Sequence, residues 1–244
     1  MATNRIETRL FVFGPALVRL HNMEGPMNEG RIRKLLEEIE RAGSTMPQEA
    51  IDMLVREGEN SVQPLLELLD AIEPDQDDWT PLWIVVALGE IRSPRAVGRL
   101  LALLELPEGD ILSEAVVEAL AKIGPPALAE IMAFARKTPG WEARQYAYTS
   151  LGLIPGDASL QFLISALGRD PVLWSTLATA LADLGDQRAV APLKNLLTRC
   201  DEREAPSVKE ALAILEGHLP PYPHLHQHNW RERYSWLDRS TGSI

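Results

Sequence analysis

The chain has 244 residues, a formal net charge of −11 and a hydrophobic fraction of 45%. That length and apolar content suit a folded core, in one elongated domain or two compact ones. The acid excess argues against nucleic-acid binding, which needs clustered Lys and Arg, and a single cysteine, Cys200, rules out an internal disulfide.

Residues 1–45 stand outside the periodic part of the chain. Met1–Arg9 has no apolar core and the Leu10–Phe13 run is too brief for a secretory signal. Leu10–Leu20 is apolar but broken by Gly14 and Pro15. Asn28–Arg41 places Ile32, Leu35, Leu36 and Ile39 on one helical face, which predicts an amphipathic capping helix. The longest apolar stretches, such as Leu82–Leu88, fall far below membrane-spanning length, so the expected location is the cytoplasm.

From residue 46 to 217 the chain repeats itself. Leu54, Leu88, Leu120, Leu151, Leu181 and Leu212 recur at intervals of 30 to 34 residues. Apolar residues four and eight positions earlier, such as Val116 and Leu112 or Leu177 and Leu173, make one helical stripe. A small residue before the leucine, as at Ala87, Ala119 and Ala180, admits a neighbouring helix closely. A turn and a second apolar run follow, as from Ala96-Val97 to Leu104 and from Ala189-Val190 to Leu197. Gly124, Gly156 and Gly185 mark the turns within units. Thr80, Thr138 and Asp170, each before a proline, are expected N-caps of first helices, and Asp157 and Asp186 of second helices. One such pair cannot bury both apolar faces; stacking can. The expected fold is therefore an all-α solenoid of about six helix pairs, with divergent caps at both ends.

Residues 218–244 hold Pro220-Pro221-Tyr222-Pro223, then Trp230, Tyr234 and Leu237 at helical spacing. The sixth unit lacks a second helix, so a short tail helix is expected to take its place and seal the last face.

Ala87-Leu88-Gly89-Glu90-Ile91, with Pro94-Arg95-Ala96-Val97 after it, resembles HEAT-like repeats of the phycobilisome-lyase type, as does Leu184–Leu193. The resemblance spans about residues 46–217. It implies an interaction scaffold whose second helices line a concave face, or alternatively a bilin lyase/isomerase-like subunit or chaperone-like lyase component. The Arg often found early in the first helix is present only as Arg144, with Trp174 in that place in the fifth unit.

The chemistry-bearing residues do not converge. His224, His226 and His228 alternate, which could bring imidazoles to one metal, but a solvated or partner-facing tail suits them better, and no metal or cofactor is expected. Asp75, Asp77 and Asp78 lack the Gly and late Glu of a calcium loop. Trp79, Trp83, Trp141 and Trp174 begin first helices and are expected to be packing residues. The second helices and their turns hold nine cations, Arg92, Arg95, Arg99, Arg136, Lys137, Arg169, Arg188, Lys194 and Arg199, against the acids Glu105, Glu130, Asp157 and Asp186. This predicts a mildly basic groove in an acidic shell, with Arg99, Lys137, Arg169 and Lys194 as candidate contacts to an acidic protein surface or peptide.

Overall fold

A computed structural model describes residues 27–72, 78–106, 110–222 and 230–235. Leu10–Leu20, Asp75, Asp77 and the tail histidines His224, His226 and His228 lie outside the described residues.

Among the described residues there are thirteen α-helices and no strand. Helix α1 (Met27–Ala42) precedes five pairs: α2 (Gln48–Glu57) with α3 (Glu59–Ala71), α4 (Thr80–Ile91) with α5 (Val97–Leu103), α6 (Asp110–Ile123) with α7 (Leu128–Lys137), α8 (Trp141–Gly152) with α9 (Asp157–Ala166), and α10 (Trp174–Leu184) with α11 (Val190–Leu197). Helix α12 (Ala205–Leu215) is a sixth first helix, and α13 (Trp230–Arg233) lies in the tail. The six recurrent leucines sit on α2, α4, α6, α8, α10 and α12, and all six are buried. Each first helix packs on the next first helix, and each second helix packs on the first helix that follows it. Helix α1 covers the N-terminal flank against α2, α3 and α4. One continuous apolar core runs from Ile32 to Leu215 and takes in Trp230 and Tyr234. The chain is an α-solenoid.

The small residues do what the spacing predicts, and one step more. A Cβ added to Gly89 would lie 2.8 Å from the Ala119 Cα, and one on Gly152 would lie 2.7 Å from both the Cα and the carbonyl O of Ala180. The residue after one leucine thus meets the residue before the next, backbone against backbone. Gly152→Leu is expected to force α8 and α10 apart and to lower unfolding stability by about 1–3 kcal/mol. Gly30→Ala, in open space on α1, is the control and should be neutral or slightly stabilising in the same urea titration.

Of the five expected caps only that of Asp186 is made. The Thr80 amide is capped by the Asp78 carboxylate at 2.8 Å, and Thr80 itself is already helical. Thr138 bonds Glu105 on the preceding pair instead of capping α8, which begins at Trp141. Asp186 does cap, accepting from the Arg188 amide at 2.9 Å, whereas Asp157 makes no cap. Arg92 closes α4 in a left-handed conformation, φ 61°, where Gly185 closes α10 at φ 71°.

Asp170 has a different task. Its carboxylate accepts from Arg144 Nε at 2.7 Å and from the Tyr148 hydroxyl at 3.2 Å. Arg144 also donates to the carbonyls of Thr138 and Pro139, at 3.3 and 2.7 Å. One guanidinium therefore ties α8 to the turn before it and to the turn before α10. Burial, with Asp170 beside it, pushes the Tyr148 hydroxyl up to about 12. Trp174, in the equivalent place on α10, performs the local half of this job: its Nε1 donates to the Leu167 carbonyl at 2.8 Å.

The described tail helix, α13, does not seal the last unit. Tyr222 lies against Thr179 on α10 and Glu210 on α12. The chain then reaches the other end of the array, where Trp230 and Tyr234 are buried and Tyr234 meets Trp83 edge-on, with centroids 6.1 Å apart. Arg231 pairs with Asp52 on α2, and Arg233 pairs with Glu114 at 2.7 Å and Glu118 at 2.6 Å on α6. Asp52, Glu118, Thr179 and Glu210 each stand two residues before a recurrent leucine. Tyr222, Arg231 and Arg233 therefore meet a single row of equivalent positions on the first helices. Burial raises the Glu118 carboxyl above the usual range even with Arg233 beside it.

Candidate protein-binding face

The row of second helices α3, α5, α7, α9 and α11, with its turns, carries the predicted cations, but four of the nine, Arg95, Arg99, Arg188 and Lys194, are neutralised from within. Arg99 Nε meets Asp70 Oδ1 at 2.6 Å, and its Nη2 donates to the Leu69 carbonyl at 3.3 Å. Arg95 donates to Gln63 at 3.0 Å and faces Glu59 at 3.7 Å. Arg188 holds Asp157 at 2.5 Å and Asp186 at 2.7 Å, which pulls the Asp186 carboxyl down to about 2. Lys194 pairs with Glu216 at 2.7 Å. Glu59, Asp70 and Glu216 belong to the first and sixth units, so a balance confined to units two to five leaves them out. These pairs are largely solvent-exposed, and each contributes little to stability; their effect is to remove free positive charge from the row.

Arg136, Lys137, Arg169 and Arg199 are differently placed. Each lies at or just beyond the C-terminus of a second helix, where the helix dipole favours a cation. All four are exposed, and among the described residues none forms a salt bridge. The Arg136 and Arg169 guanidiniums lie over one ring, that of Phe162, at 4.8 and 5.4 Å from its centroid. Arg169 is steadied by Ser165, whose hydroxyl accepts from Nη2 at 2.8 Å. Asp170, the next carboxylate along the chain, is turned inward to Arg144 and Tyr148. Arg199 lies 5.8 Å from the Trp174 ring centroid. Of the four contact residues predicted from sequence, Lys137 and Arg169 are thus available, while Arg99 and Lys194 are engaged inside the molecule. Arg136 is the partner that the charge count alone does not single out. Its place opposite Phe162, one unit away, needs the three-dimensional stack.

Close by, an open cavity of about 700 Å³ is lined by Leu104, Glu105, Thr138, Trp141, Glu142 and Tyr146. Trp141 is 50% exposed, unlike the fully buried Trp83, and so departs from the expected packing role. Among the described residues no group of three or more His, Cys, Asp or Glu is placed to hold a metal ion. Cys200 is half-buried beside the Leu197 carbonyl. No helix among the described residues is long and apolar enough to cross a membrane.

Paired helices stacked at a fixed period, with a row of second helices open to solvent, define a repeat protein of the α-solenoid class. The chain matches the HEAT repeats family over residues 62–139 and 128–213, which is most of its length, and it belongs to that family. It is also similar to the bilin biosynthesis protein PecE of Nostoc sp., with 37% identity over 79 residues. That alignment covers 32% of this chain and 31% of PecE.

Proposed function

We propose that the chain is a non-catalytic interaction scaffold that takes a partner protein on its concave second-helix face. The observation that supports this is the set of cations around Lys137 and Arg169, left without acidic partners where Arg95, Arg99, Arg188 and Lys194 are each neutralised from within. A partner with an acidic surface or segment suits that set. Arg99 and Lys194 frame the face and are held back by Asp70 and Glu216. The scaffold acts in the cytoplasm in this reading and needs no metal or cofactor.

Affinity capture from the source cell with the full chain as bait tests this. A protein retained by the wild type should be lost with Lys137→Glu/Arg169→Glu and largely kept with Arg99→Gln/Lys194→Gln. Capture that ignores the first pair of substitutions sinks the reading. A second reading, a bilin lyase-like subunit, draws support from the similarity to PecE. Co-expression with a bilin and an acceptor protein would yield a coloured adduct in that case, and a colourless product counts against it.

A further inference from the structure

Four large apolar side chains are notably exposed among the described residues: Ile111 at 37%, Trp141 at 50%, Val172 at 70% and Leu219 at 44%. Three of them occupy one register. Ile111, Trp141 and Val172 stand nine, ten and nine residues before Leu120, Leu151 and Leu181, at or just before the starts of three consecutive first helices. Single exposed apolar residues need no explanation, but three at equivalent positions of successive units line up as a strip along one edge of the array. The same edge carries the ends of the second helices. Arg136 and Lys137 precede Trp141 by five and four residues, and Arg169 precedes Val172 by three. The strip therefore runs beside the two guanidiniums on Phe162.

We infer that this edge is the seat for an acidic peptide segment of another protein that carries bulky apolar side chains. The inference rests on the scaffold reading and moves the contact from the open face to its rim. Charge complementarity decides the occupant. Arg136 and Arg169 lie on a ring with no carboxylate paired to them, so their remaining N–H donors suit a carboxylate. Glu105 and Glu142 line the cavity below Trp141 and repel one. The occupant's carboxylates therefore belong over Phe162, and an apolar side chain belongs in the cavity against Trp141. First helices of adjacent units pack about 8–10 Å apart. A chain in the polyproline II conformation advances about that distance in three residues and returns every third side chain to the same face, so apolar anchors three positions apart would meet Ile111, Trp141 and Val172 in turn.

The probe is a fluorescently labelled peptide of glutamates with phenylalanine at every third position, titrated with the full chain at low salt and followed by polarisation. Saturable binding is expected. Arg136→Glu/Arg169→Glu should weaken it roughly tenfold or more, and Trp141→Ala should weaken it a few-fold, with both variants still folded at the assay temperature by circular dichroism because all three side chains are exposed. A peptide with lysine in place of glutamate should not bind. Absent binding, unchanged affinity in either variant, or tighter binding of a single-stranded DNA of equal charge overturns the seat. Equal capture of a cellular partner by wild type and Arg136→Glu/Arg169→Glu removes the seat and leaves a scaffold that binds elsewhere. A peptide that binds as described, with no cellular protein retained, leaves the seat and removes the scaffold.

Discussion

Asp170→Ala is expected to destabilise the fold by about 3 kcal/mol, the range found when one member of a buried ion pair is removed. The Asp170 and Arg144 side chains retain only 11% and 19% of their exposure. Without the carboxylate, Arg144 keeps its two carbonyl acceptors but carries an uncompensated charge, and the Tyr148 hydroxyl loses its acceptor at 3.2 Å. An unmade bond to a buried group costs more than a made one contributes. Asp157→Ala is the comparison. Asp157 also sits 2.5 Å from an arginine, yet its side chain is 69% exposed. Water screens that pair, and its loss should change the urea midpoint little. If the two substitutions cost the same, the Arg144–Asp170 pair is not the tie described here.

Trp83→Ala should cost still more, about 4 kcal/mol, as for other buried aromatic truncations. Trp83 is fully buried on α4. Its Nε1 donates to the Gly43 carbonyl, just beyond α1, at 2.9 Å, and its ring meets Tyr234 in the tail. One side chain thus secures the N-terminal helix, the second unit and the tail. Its removal should also free residues 230–235, read as new protease cleavage near Trp230 at denaturant levels that leave the wild type intact. Tyr234→Ala should expose the same site at a smaller loss of stability, because the Gly43 bond survives. A Trp83→Ala chain whose tail stays protected would show that Arg231 and Arg233 alone hold it.

The stack was legible because its cause is periodic. A leucine that must be buried by both neighbours recurs at the repeat length, and Leu54 through Leu181 are completely buried. The close approach at Gly89 and Gly152 follows from the same register. Caps were less legible. Thr138 and Asp170 have the right residue type before a proline, but Glu105 and Arg144 compete for their side chains, and those competitors lie 33 and 26 residues away. The candidate face was half legible for a similar reason. The type and order of the cations are in the sequence, yet which of them stay free depends on Asp70 and Glu216 in adjoining units. The place of the tail helix is not legible locally, because a missing second helix invites a local substitute. The signal against that was present in Arg231 and Arg233, whose charges match Asp52, Glu114 and Glu118 on the distant first helices.

Linear arrays of repeats normally melt from their ends, because a terminal unit has one neighbour where an inner unit has two. Here Arg231, Arg233 and Tyr234 meet α2, α6 and α4, far from α12 along the array. These contacts couple the first three units through residues 230–235, so those units do not fray independently of one another. Such coupling makes unfolding more nearly all-or-none than the repeat count alone would suggest. It also limits how far the superhelix can stretch like a spring while the strap is engaged.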